Sequence, residues 1–307
     1  MRKRSCGWDK RGVRALLILA AAGCATPQYS VRGTPVPDES ASAVQIERQI
    51  SAMQAQEFER LGARPIGGAE WLGGLPIQQT ISRVSRVTER PSLPYRGYLY
   101  QDDDPNAASL ADGRIYMSSG MTKYLAGRGS RVDELAFILA HELGHTVAQH
   151  LVTRYRLMQQ QALLMTIVAA GASVATRNAS ASAQQAGQLA VNAASLLRDV
   201  ANSGYSQQDE LEADQLGIRY VQRAGYDPHA ALDLLQDFAR FDQAGPFLRT
   251  HPYITTRRAY LKRYVEESKT ETEERVRQLR QAQLLYPKNS VSWQNLQRQI
   301  DALRRPR

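Results

Sequence analysis

Residues 132–158 hold the strongest helical pattern in the chain, and His141-Glu142-Leu143-Gly144-His145 stands in the middle of it. Leu135, Ile138, Leu139, Leu143 and Val147 recur along one side at helical spacing, which predicts one long helix. Side chains four apart on a helix share a face, so the two imidazoles converge. Two imidazoles so placed can ligate one Zn²⁺ at about 2.0–2.1 Å. Glu142 is turned by about 100° from His141. It faces the open side of such a metal rather than the metal itself, where a general base would take a proton from water. A centre of this kind needs a third protein ligand and an open fourth position. Glu210-Leu211-Glu212-Ala213-Asp214 supplies a candidate. Glu210 and Asp214 share a helix face, so Glu210 can ligate while Asp214 hydrogen-bonds a ligand histidine and fixes its ring. Glu212 points elsewhere. Alone, this segment reads as a solvated acidic helix; beside the histidine pair it reads as the missing ligand.

The rest of the chain supports a globular body behind a leader. With 307 residues, 43% of them hydrophobic and 22% charged, the composition excludes disorder and collagen-like sequence and allows a real core. Residues 1–23 carry Arg2, Lys3, Arg4, Lys10, Arg11 and Arg14 against Asp9, so they hold +5 of the formal +9 and leave +4. A charge of that size without a basic cluster is no nucleic-acid footprint. A basic start, a short apolar run over 15–22 and Gly23-Cys24 have the anatomy of a secretory signal. Ala21, Ala22 and Gly23 before Cys24 resemble a bacterial lipoprotein box, although Ala21 stands where Leu is usual. That resemblance implies lipidation of Cys24, and Ala25 after it favours the outer membrane; the alternative is a plain cleaved signal with Cys24 incidental. Cys6 lies in the removed part, so no internal disulfide is expected.

Residues 24–40 are rich in Pro, Gly, Thr and Ser and read as a flexible tether. Helices are expected over 40–61, 75–90, from 121, over 208–224, 228–241 and 254–265, and as a C-terminal pair over 270–285 and 291–303. Strands are expected at 95–101 and 113–118, with a turn at 102–106 between them. Residues 163–174 are apolar but too short to cross a bilayer, and read as a buried helix, or as a lid or membrane-leaning segment within 158–208. His150 is expected on the helix surface off the ligand face, His229 is expected exposed, and Asn178 is a glycosylation triplet in name only.

Several motifs in one order then resemble a family. Pro105-Asn106-Ala107, Gly113-Arg114-Ile115-Tyr116, Asp133-Glu134-Leu135-Ala136, His141–His145, Glu210–Asp214 with Gly217, and Thr250-His251-Pro252 with Arg257 are similar to zinc metallopeptidases of the HtpX and CAAX-prenyl-protease type. The resemblance covers about residues 75–261, on the side of the periplasmic lipoprotein or BepA/LoiP-like members. It implies a mostly α (α+β) fold: a gluzincin-like protease domain with a small sheet and a C-terminal helical cap. It implies one Zn²⁺ per chain on His141, His145 and Glu210, with Glu142 catalytic. It also places His251 and Arg257 near the metal cleft. There they could stabilise a tetrahedral oxyanion, or His251 could fill the open metal position and hold the enzyme latent. The strand at 113–118, read as an edge, could pair with extended substrates or be merely structural. Relatives of the HtpX type carry membrane helices, and those of the BepA type a full helical-repeat domain; neither is visible here.

The expected organisation is a signal at 1–23, a tether at 24–40, a metallopeptidase domain at 41–265 and a helical hairpin at 266–307. The expected function is zinc-dependent endopeptidase action on misfolded or misassembled envelope proteins, from a lipid anchor on the periplasmic face of the outer membrane. Outer-membrane assembly machinery is a candidate partner. The rival is a lipid-anchored periplasmic chaperone with a latent site, and a weaker third is hydrolysis of peptidoglycan or another non-protein substrate.

Overall fold

The computed structural model describes residues 28–129, 131–176, 204–240 and 250–304. The signal, Cys24 and Asn178 lie outside the described residues, as do residues 177–203. Helix α1 (Ala41–Arg60) starts at Ser40, whose side chain accepts from Ala43 N. Strand β1 (Arg64–Pro65) and helix α2 (Ile77–Ser85) follow. Strands β2 (Arg96–Tyr100), β3 (Ala107–Ser109) and β4 (Arg114–Ser118) complete a sheet of order β1-β2-β4-β3. β2 and β4 are parallel with Tyr98 opposite Tyr116, and β3 runs antiparallel to β4 with Ala108 opposite Tyr116.

β4 is therefore an inner strand, which corrects its reading as an edge. The edge is β3, whose three residues are too few to show alternation. β4 is buried on both faces. Ile115 and Met117 share a core with Leu135, Ile138 and Leu139, while Tyr116 stacks on Phe58 of α1 at 3.9 Å between ring centroids.

Helix α3 (Ser119–Gly127) leads to α4 (Val132–Val147), where Leu135, Leu139, Leu143 and Val147 are fully buried. Each such side chain contributes roughly 1.5–3 kcal/mol of burial. Asp133 and Glu134 sit in its first turn, where carboxylates suit the helix dipole. α4 ends at Val147. Gln149 adopts φ +55, and α5 (His150–Thr176) starts afresh, so the single helix expected over 132–158 is broken at a corner. No Gly or Pro marks that corner. It is held by contacts from distant residues. On α5, Leu163 and Leu164 are about 60% exposed, unlike the start of the buried helix expected over 163–174; the side chains of 165–176 lie outside the described residues.

Helix α6 (Gln207–Ala224) begins with a Ser206–Asp209 capping box and ends at Gly225 with φ +80. α7 (His229–Phe238) follows Asp227, which accepts from His229 N. α8 runs unbroken over Ile254–Gln283, fusing two helices expected separately. The polar stretch 266–269 interrupts the apolar pattern without breaking the backbone. α9 (Val291–Arg304) folds back on α8 through Val276, Leu279 and Ile300.

Of the segment expected as a tether, residues 28–40 are laid down as a strap. Tyr29 donates to Glu267, packs at a tilt beside the Tyr260 ring and lies under Arg263. The Gln215 amide bonds Arg32 N and Ser30 O, and Asp38 is gripped at the α4–α5 corner. Its small residues let it follow the surface; composition does not reveal partners that lie some 185 residues away.

Candidate metal centre

α4 carries His141 and His145 one turn apart, each 2% exposed. α6 crosses it closely because both helices lack a side chain at the crossing. A Cβ on Gly144 would stand 3.0 Å from Ala213 O, and one on Gly217 would stand 3.3 Å from His141 N. Glu210 and Asp214, one turn apart on α6, thereby reach the histidines of α4. The residues before α8 bring in His251, and the first turn of α8 brings in Arg257.

His141 Nε2 and His145 Nε2 stand 3.1 Å apart, and each is 3.5 Å from an oxygen of Glu210. His251 Nδ1 is 3.2 Å from His141 Nε2 and 3.1 Å from Glu210 Oε1. A tetrahedral metal with bonds of about 2.0–2.1 Å separates its ligands by about 3.3–3.4 Å, so these spacings fit one. The proton arrangement points the same way. Asp214 Oδ1 lies 2.9 Å from His141 Nδ1, and a carboxylate on that side favours the imidazole proton there, which leaves Nε2 as a lone pair. That lone pair faces an anionic carboxylate and a second imidazole in a dry site. A cation between them removes the repulsion. Imidazole nitrogen with carboxylate oxygen is a donor set for a divalent transition metal.

Burial alone would raise the carboxyls of Glu210 and Asp214, but Arg257 outweighs it and holds both below the usual carboxylate range, Glu210 well below. Burial pushes His145 well below the usual imidazole value and so favours the neutral, ligating form. His251 is raised, because Glu210 and Glu142 outweigh its burial. Glu142 is fully buried, neither of its oxygens has a hydrogen-bond donor among the described residues, and His251 Nε2 lies 3.3 Å from its Oε1. A carboxylate kept dry beside the cluster is placed to handle a proton.

Arg257 sits behind the cluster. Its guanidinium forks onto Asp214 at 2.8 and 2.7 Å, reaches Glu210 Oε2 at 2.6 Å and donates to His251 O. All three of its nitrogens are thus engaged by Asp214, Glu210 and the His251 carbonyl.

Of the residues singled out from sequence, His141, Glu142, His145, Glu210, Asp214, His251 and Arg257 converge here, and Glu212 stands apart at 3.8 Å from His150. His150 contradicts its expected surface place. It is 7% exposed, and its Nδ1 lies 2.8 Å from His145 Nδ1. The α4–α5 corner, absent from the sequence pattern, swings it back. Tyr205 was missed as well. Its ring stacks on His145 at 3.8 Å, and the segment is tied across by Tyr205 N donating to Thr250 O. Its one sequence cue is its place just before the Ser206 cap. His229 is exposed as expected.

The sequence model for Peptidase family M48 matches residues 75–265. The chain is 29% identical over 260 residues to the β-barrel assembly-enhancing protease of Escherichia coli (strain K12), covering 81% of this chain and 51% of that protein. It is 31% identical over 168 residues to the protein of the same name from Yersinia pestis, covering 53% of this chain and 33% of that one. It is 25% identical over 203 residues to the mitochondrial metalloendopeptidase OMA1 of Schizosaccharomyces pombe, covering 65% and 55%. The chain thus spans about half the length, or less, of these relatives.

Proposed function

Because the chain belongs to peptidase family M48, we propose that it is a zinc-dependent endopeptidase acting on misfolded or misassembled proteins of the bacterial cell envelope. The observation that carries this reading is the convergence of His141, His145 and Glu210 beside a dry Glu142. Those three residues would hold the zinc, with Asp214 orienting His141. When bound, zinc supplies Lewis-acid polarisation of a peptide carbonyl and a lowered pKa for water. The remaining chemistry belongs to the chain. Glu142 takes the proton of the attacking water and delivers it to the leaving amine. Arg257 keeps Glu210 and Asp214 ionised and in register. His251, with Nδ1 3.2 Å from His141 Nε2 and 3.1 Å from Glu210 Oε1, would keep the site latent until it withdraws.

The envelope setting rests on the lipoprotein-like Cys24 and on relatives named for β-barrel assembly. We place the chain at the periplasmic face of the outer membrane through a lipid on Cys24. None of the described helices is long and apolar enough to cross a membrane. The division into signal, linking segment, peptidase domain and C-terminal hairpin belongs to the same proposal. The closed cluster favours one second reading, a chaperone that holds clients over a latent site.

The test is cleavage of an unfolded protein by the zinc-loaded chain beside its Glu142→Gln twin. Cleavage by the parent alone supports the peptidase and assigns the base. A parent that binds zinc, cleaves nothing and still holds unfolded clients points to the chaperone.

A further inference from the structure

His141 has a carboxylate, Asp214, on its outer nitrogen, whereas the partner of the outer nitrogen of His145 is another imidazole. On this difference, and resting on the metal site proposed above, we propose that His150 is a positioning residue for His145: its Nδ1 accepts the Nδ1–H of His145 and so aims Nε2 at the metal. The two Nδ1 atoms are 2.8 Å apart, a hydrogen-bond distance that requires one donor and one acceptor. His150 Nε2 lies 3.8 Å from both Asp209 Oδ1 and Glu212 Oε2. Two carboxylates on that side favour the proton on Nε2, which leaves Nδ1 free to accept. His145 must then carry its own proton on Nδ1, the tautomer in which Nε2 is a lone pair for the metal. Tyr205 stacked on the same ring restrains its face, so one contact sets the plane and the other the rotation.

The backbone is bent to make this contact. Continued as a helix, α4 would place residue 150 about 140° round from residue 145. Gln149 instead takes φ +55, a left-handed conformation that a non-glycine residue rarely adopts. Three bonds of its side-chain amide hold it there: from Asp38 N at 2.7 Å, to Asp38 O at 2.9 Å and to Glu47 Oε1 at 2.8 Å. A strained corner fixed by three bonds and delivering one buried imidazole onto a ligand is a built device rather than an incidental turn.

The test uses the full chain in detergent, as parent, His150→Ala and His150→Asn, loaded with Zn²⁺ or Co²⁺. Asn is chosen because its Oδ1 occupies the place of Nδ1 and can accept the same proton. His150→Ala should lose metal to a competing chelator about 10–100-fold more readily and shift the visible Co²⁺ spectrum. His150→Asn should restore most of both. The melting temperatures of the metal-free forms separate this from loss of fold. If Ala matches the parent in affinity and spectrum, or if Asn is as impaired as Ala with both metal-free forms destabilised, His150 is not a positioning residue. Those outcomes leave the peptidase reading intact. A parent that takes up neither metal overturns both.

Discussion

His251 Nδ1 stands 3.2 Å from His141 Nε2 and 3.1 Å from Glu210 Oε1. On the latent reading proposed above, this imidazole would have to leave before cleavage. His251→Ala is therefore expected to cleave an unfolded protein faster than the parent at equal zinc. A slower variant would return His251 to the oxyanion role instead. Arg257 makes the opposite prediction. It is 1% exposed, between two carboxylates. Removing one partner of a buried ionic network strands the others, at a cost of about 3–5 kcal/mol. Arg257→Ala should lower the melting temperature of the metal-free protein and weaken zinc binding. Arg257→Lys keeps the charge but lacks the planar fork, so it should retain more fold than metal affinity. Equal losses in both properties would count against this division of roles.

Among the elements, the α4–α6 crossing decides whether a site exists. Gly144 lies within the histidine motif, and a Cβ there would meet backbone, Ala213 O at 3.0 Å and Ala213 Cα at 3.1 Å, which cannot move aside like a side-chain tip. Gly144→Ala should destabilise by about 1–3 kcal/mol through overpacking. It should also weaken zinc binding, because Glu210 rides on α6. A thermal melt with a parallel zinc titration checks both, and unchanged affinity would mean that the crossing adapts without moving the ligand. β4 shows a different logic. Paired with β2 on one side and β3 on the other, it offers no free edge, so β3 is the strand of this sheet beside β4 left with an open side.

Over the whole molecule, the strap ties α8, α6 and the α4–α5 corner together through Tyr29, Ser30, Arg32 and Asp38. A form starting at residue 40 should melt lower than one starting at residue 25 and be nicked sooner by a protease at the corner near Gln149. Identical digestion patterns would reduce the strap to surface decoration. Metal acts on the same global scale. A ligand bound only by the folded state stabilises it by about 2.7 kcal/mol at one hundred times its dissociation constant. Chelation should therefore lower the melting temperature of the parent, and re-addition of zinc should restore it.

The motif chemistry was legible because it is local. A helix puts residues four apart on one face whatever surrounds it, so His141, His145, Glu210 and Asp214 could be paired from spacing, and Glu142 set beside them. The helices of the core and the strands β2 and β4 were legible because burial imposes a period on the side chains. What spacing could not show were features whose cause lies far along the chain. The corner at Gln149 is held by Asp38 and Glu47, and the strap by Gln215 and Glu267; the inner place of β4 was hidden differently, because the neighbouring β3 is only three residues long. His150 stands buried 2.8 Å from His145 instead of on the surface for the same reason as the corner, and the guanidinium of Arg257 is paired with the carboxylates of α6. Periodicity and spacing carried the elements and the ligand types; tertiary contacts, from about 40 residues apart at Arg257–Asp214 to more than a hundred at Gln149–Asp38, decided which side chains gather at the site.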